Sequence, residues 1–65
     1  MQGTVKFFDH ERGFGFITRS AGSDVFVHVS NLHADARGTL TEGRNVEFEI
    51  GQGRRGDEAH NVRPV

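Results

Sequence analysis

Asp24, His28 and Ser30 are the residue types of a hydrolytic triad, gathered in one short stretch of the chain. A serine nucleophile needs an imidazole within hydrogen-bond reach and a carboxylate holding that imidazole from behind. Residues this close along one extended segment alternate faces or stand too far apart for that geometry. A chain of 65 residues also offers little cleft from which to exclude water. No enzymatic activity is expected. His10, His28, His33 and His60 are scattered and there is no cysteine, so a zinc site lacks both ligand spacing and supporting groups. Neither a metal nor a cofactor is expected. The stretch GQGRRG, Gly51 to Gly56, spells G-x-G-x-x-G, but no helical pattern follows and the sequence ends before an acidic ribose partner could stand about 20 residues on. It reads as a turn, and the RGD of Arg55 to Asp57 is an adhesion tripeptide by spelling only.

The remaining chemistry is aromatic. All six aromatic residues are phenylalanine, and four of them lie in VKFF and GFGF. In RGFGFI, Arg12 to Ile17, glycine alternates with phenylalanine inside a segment that otherwise reads as a strand, although glycine weakens strands. Lys6, Arg12 and His28 are interleaved with the rings. Eight Lys and Arg against nine Asp and Glu give a net charge of −1, which argues against a protein that holds nucleic acid by charge alone. No apolar run approaches the length of a membrane span, and no basic segment followed by an apolar one opens the chain. A single soluble, cytoplasmic domain spanning residues 1–65 is expected, with a monomer as the default, no membrane partner and no small-molecule substrate.

The elements that must position these residues are strands. GTVKFFD (Gly3 to Asp9), FGFIT, VFVHV (Val25 to Val29) and NVEFEI are rich in β-branched and aromatic residues, and AHNVRP supplies a last strand ended by Pro64. RSAGSD reads as a polar turn and GQGRRGDE as a turn or loop. Ser30 to Gly43 is the only place for a helix, but Gly38 and Gly43 interrupt it and no apolar stripe of period 3.6 appears. A short helical turn plus loop is expected there, with Ser30 or Asn31 as cap. Five short strands and one long connection suggest a small barrel, of OB or SH3-like type.

Period-2 alternation puts Phe14 and Phe16 on one face of their strand and Gly13, Gly15 and Ile17 on the other. Phe26 and His28 likewise share a face opposite Val25, Val27 and Val29. If the rings are the core, Ile17 and three valines are exposed and His28 is buried without a partner. If the rings are outside, the core is Val5, Ile17, Val25, Val27, Val29, Leu32, Leu40, Val46, Phe48, Ile50 and Val62, with no polar member. Leaving three or four phenylalanines in water forgoes roughly 5–12 kcal/mol at about 1.5–3 kcal/mol each. That rivals the whole stability of a domain, about 5–15 kcal/mol. An outward ring face therefore implies a use for it, and alternation alone leaves both arrangements open.

GTVKFFDHERGFGFI, DVFVHVS, LTEGRNVEFEI and RGDEAHNV together resemble the bacterial cold-shock proteins over Gly3 to Val62. RGFGFI is similar to that family's RNP1 motif and VFVHV to its RNP2. RNP1 also occurs in the RRM, but Arg19 stands where an aromatic would close that motif, and the chain lacks two helices. The resemblance implies an all-β, five-stranded antiparallel OB-fold β-barrel that binds single-stranded RNA and DNA on an exposed aromatic sheet face. It implies an ATP-independent RNA chaperone, in some members an antiterminator. The implied contacts are Phe7, Phe14, Phe16 and Phe26 as stacking platforms, His28 as a ring with hydrogen-bonding edges, and Lys6 and Arg12 toward phosphate or base edges. Asp24 is an acceptor for a base and Arg37 a guanidinium plane in the long loop. For Lys6 and Phe7 to share a face, the first strand must bend or bulge, with Phe8 partly in the core.

Several positions depart from the family pattern. Phe7 stands where Trp is usual, Asp9 where Asn is, Val29 where many members carry Phe, and Arg37 where many carry an aromatic. A somewhat weaker or differently selective binder is expected. A protein-interaction module that docks a partner on the same rings is the alternative.

Overall fold

The computed structural model describes residues 1–36, 38, 40–54 and 56–65. Five strands account for most of them: β1 (Gln2–Asp9), β2 (Phe14–Thr18), β3 (Val25–His28), β4 (Asn45–Gly53) and β5 (Gly56–Pro64). They close into a barrel in the order β1-β2-β3-β5-β4, as expected for an OB-fold. The pairing is mixed and not purely antiparallel, because β3 and β5 run parallel through Phe26↔Glu58 and Val27↔Ala59. The reason is topological. Strand directions cannot alternate all the way round a closed ring with an odd number of members, so one neighbouring pair must be parallel. Here the long connection after β3 places the seam between β3 and β5. Among the described residues that connection holds two short 3-10 turns, Val29–Asn31 and Ala34–Ala36. The cap of the first turn is His28, with Ser30 and Asn31 inside the turn.

Most of the segment read as a turn or loop, 51–58, is strand, with Arg54 in a turn. β4 runs on to Gly53 and β5 begins at Gly56, so the two strands form a long hairpin that pairs as far as Gly53↔Gly56. Glycine hides this from a propensity reading, yet here its missing side chain is what admits the neighbours. A Cβ on Gly51 would come 2.8 Å from the His60 ring, and one on Gly53 would overlap Glu58 Oε2.

The core is the aliphatic set: Val5, Ile17, Val25, Val27, Leu32, Leu40, Val46, Phe48 and Val62, joined by Ala36 and Ala59. The expected members Val29 and Ile50 are instead 40% and 36% exposed. Alternation stops at His28, where the backbone turns into the 3-10 segment, so parity no longer points Val29 inward. Ile50 lies on the part of the hairpin beyond the β1–β4 pairing, which covers only Asn45 to Glu47 of β4.

Two bulges aim side chains. In β1, Val5 pairs with Ile17 but Phe7 pairs with Phe16, so Lys6 is an extra residue between them. The bulge leaves Val5 buried and turns both Lys6 and Phe7 outward, while Phe8 packs partly buried against the core. In β5, Glu47 faces Arg63 while Glu49 faces His60, which leaves one extra residue on β5. Asn61 takes φ 52° there, a left-handed conformation that asparagine tolerates better than most residues. Its Nδ2 donates to Glu49 Oε1 at 3.0 Å.

Candidate nucleic-acid interface

Gly15 decides which face of β2 is inside. A Cβ there would overlap the Phe7 carbonyl oxygen and approach Phe8 Cα to 2.7 Å. The glycine side is thus the crowded interior, and Phe14 and Phe16 stand on the outer side. Antiparallel register sets Phe16 opposite Phe26 and Phe14 opposite His28. The β1 bulge brings Phe7 opposite Phe16.

The rings make one connected cluster. Phe7 lies 5.7 Å from Phe16 and 6.5 Å from Phe14, Phe14 stacks on Phe26 at 5.9 Å with 24° between planes, and Phe16 meets Phe26 edge-on at 5.8 Å. Phe14, Phe16 and Phe26 are half-buried by one another and Phe7 is 41% exposed. Contacts of this type contribute roughly 0.5–1.5 kcal/mol each beyond burial. Mutual shielding therefore recovers part of the free energy that an outward aromatic face would otherwise forgo. The surface left to solvent is a set of ring faces and edges, suited to stacking against flat partners.

Polar groups surround it. His28 ends β3 and is exposed. Its Nδ1 accepts from the Ser30 backbone N–H at 3.1 Å and lies 2.8 Å from Ser30 Oγ. Because the backbone amide can only donate, Nδ1 carries the lone pair. The neutral ring therefore presents Nε2–H, a donor for a base or phosphate oxygen. Lys6 is held 2.9 Å from Asp24 Oδ2. Arg12, in the β1–β2 turn, has Nε 3.8 Å from Asp9 Oδ2. Asp9 also builds that turn, its Oδ1 accepting from the backbone N–H groups of Glu11 at 3.0 Å and Arg12 at 3.1 Å. Asp9 sits opposite Phe14 in register and so lies beside the rings. Lys6 and Arg12 are thus each matched by a carboxylate.

Of the expected contact residues, Lys6, Phe7, Arg12, Phe14, Phe16, Asp24, Phe26 and His28 are brought to this one side of the barrel; Arg37 lies outside the described residues. Sequence reasoning missed the continuation of the face onto β5. Glu58 stands beside Phe26 in the parallel register and His60 follows it outward, with the buried Ala59 between them. Glu58 Oε1 accepts from Asn31 Nδ2 at 3.1 Å and lies 3.3 Å from His60 Nε2. The alternation Glu58-Ala59-His60 carried the signal, but it was masked by reading residues up to 58 as a turn.

Among the described residues no helix is long and apolar enough to cross a membrane. The profile of the family described as the 'Cold-shock' DNA-binding domain matches residues 1–65. The cold shock protein CspC of Bacillus subtilis is 54% identical over 61 residues, covering 94% of this chain and 92% of its own length. The cold shock-like protein of Thermotoga maritima is 49% identical over 65 residues, covering 100% of this chain and 98% of its own length. The cold shock-like protein CspC of Buchnera aphidicola is 56% identical over 63 residues, covering 95% and 91%. With relatives matched nearly end to end and a ring-bearing barrel face that suits nucleic-acid binding, this chain belongs to the cold-shock domain family.

Proposed function

We propose that this chain, as a single domain and a monomer, binds single-stranded RNA and DNA by stacking bases on Phe7, Phe14, Phe16 and Phe26. On this reading it works in the cytoplasm as an ATP-independent RNA chaperone, and antitermination is one consequence of that activity. The observation that supports it is the connected outward ring cluster, four rings within 6.5 Å of a neighbour. Stacking on an aromatic ring is worth roughly 1–3 kcal/mol per base and is open to every base. A duplex hides its base faces, so the protein binds unpaired strands and shifts pairing equilibria by that difference in affinity. Mass action replaces ATP, and no covalent step is involved. Lys6, Arg12 and the Nε2–H of His28 favour a nucleic acid over an apolar protein partner, since they offer donors to phosphate and base oxygens.

The test is fluorescence anisotropy with a dye-labelled pyrimidine-rich strand and with the same strand annealed to its complement. The single strand is expected to bind and the duplex to bind far more weakly. Equal binding of the two, or binding of neither, refutes the proposal.

A further inference from the structure

Where the ring face passes from β3 to the β4–β5 hairpin it opens into a pocket of about 480 Å³. Phe26 and His28 line one side, Asn31 the end, and Gly53, Arg54 and Glu58 the other side. We infer that this pocket is a subsite for one guanine base of the bound strand, recognised through the carboxylate of Glu58. The inference rests on the proposed binding of single strands across the rings and deepens it by assigning a base preference at one position.

Glu58 is set in place from two sides, with Asn31 Nδ2 at 3.1 Å and His60 Nε2 at 3.3 Å, both on Oε1. The other oxygen, Oε2, lies against the bare Cα of Gly53, where a Cβ would overlap it, and both residues line the pocket. Among the described residues nothing donates to Oε2, which lies at a wall held open by the absence of a side chain. A carboxylate accepts and does not donate.

The bases differ in what they offer to such a group. Guanine presents two adjacent donors on its Watson–Crick edge, N1–H and the N2 amino group. Uracil and thymine present one N–H between two carbonyl oxygens, which the carboxylate repels. Adenine and cytosine each present an amino group beside a ring nitrogen that is itself an acceptor. Only guanine matches without a repulsive neighbour. Its O6 would face donors, and Asn31 has a second Nδ2 hydrogen that the bond to Glu58 does not use. The Phe26 ring is shared with the stacking cluster, so a base in the pocket is continuous with bases on the rings. Arg54 at the hairpin tip supplies a cation for the adjoining phosphate. The volume is sufficient for a purine, since small-ligand sites run from about 300 Å³ upward.

The experiment is a guanine scan. A short dye-labelled oligothymidylate is compared by anisotropy with strands carrying one guanine at each position in turn, then with inosine, which lacks the N2 amine, at the best position. Guanine at one position is expected to tighten binding about tenfold, the lower end of what a specific base-edge contact discriminates. Inosine should lose most of that gain, and in Glu58→Gln the guanine-to-thymine affinity ratio at that position should fall toward one. A flat scan, or a preference that survives both inosine and Glu58→Gln, overturns the guanine subsite while leaving the stacking face intact. Absence of binding by every strand overturns the stacking face and the subsite together. The inosine arm uses the unaltered protein, so it decides the matter even if Glu58→Gln disturbs folding.

Discussion

Asp9→Asn tests whether the carboxylates on the ring face oppose phosphate. Asp9 does two jobs: Oδ1 caps the backbone N–H groups of Glu11 and Arg12, and Oδ2 lies 3.8 Å from Arg12 Nε. Asparagine keeps the first, because its carbonyl oxygen can occupy the place of Oδ1. It removes the second. Arg12 is 76% exposed, so the ion pair contributes little to stability and its loss should leave the melting temperature nearly unchanged. Binding should change more. Lys6 and Arg12 are opposed by Asp24 and Asp9, which leaves these four groups without net charge. Removing a negative charge about 7 Å from a phosphate in water is worth roughly 0.6 kcal/mol, a gain of about two- to threefold in affinity. Freeing one cation to displace a counterion steepens the dependence of log K on log salt by about 0.7 for a single strand. Between about 50 and 200 mM salt that slope amounts to roughly 2.6-fold, so the gain at low salt should be erased by the upper end. Anisotropy titrations of Asp9→Asn and the parent protein across that range measure both quantities. An unchanged slope, or weaker binding at about 50 mM, would show that Arg12 and Asp9 do not meet the phosphates.

Phe14→Ala and Phe26→Ala should each weaken single-strand binding by about 1–3 kcal/mol with the circular dichroism spectrum preserved; loss of the fold in place of affinity would mean that these rings support the barrel. Gly15→Ala should act the other way, because its Cβ must displace the Phe7 carbonyl and the Phe8 backbone. Overpacking of this kind costs about 1–3 kcal/mol, and a thermal melt indistinguishable from the parent's would contradict the inward placement of Gly15. At the β5 bulge, Asn61→Gly should be close to neutral. Asn61→Val should lose about 1–2 kcal/mol from the left-handed backbone alone. Equal urea midpoints for the two would remove the bulge from the account.

What the sequence made legible was local, and what it concealed was relational. Alternation in FGFIT and VFVHV sorted Phe14, Phe16, Phe26 and His28 onto one side before any coordinates. The requirement that Lys6 and Phe7 face the same way anticipated a β1 bulge, which the register shows between Val5 and Phe7. The parallel seam that sets Glu58 beside Phe26 joins residues 32 positions apart, and no local pattern encodes such a meeting. Parity also failed at Val29, where the strand ended one residue sooner than its β-branched composition implied. Glycine misled and informed at once. Gly51 and Gly53 looked like a break, because propensity counts only the backbone entropy that glycine loses in a strand. In the folded hairpin they are the positions where His60 and Glu58 cross over the backbone.

The same logic resolves the ambiguity that alternation leaves. Parity says which residues travel together but has no sign; it cannot tell inside from outside. Steric exclusion supplies the sign. On β1, a Cβ at Gly3 would sit 2.6 Å from the Thr18 carbonyl oxygen and 2.7 Å from Ile17 Cγ2; on β2, one at Gly15 would overlap the Phe7 carbonyl oxygen. Gly15 is also buried, so its crowded side of β2 is the interior of the barrel. The residues that alternate with Gly15 must then be outside, and on β2 those residues are Phe14 and Phe16. Glycine beside phenylalanine is thus one device: the bare positions let the strands close tightly round an aliphatic core, and that core leaves the rings free to stack on something else.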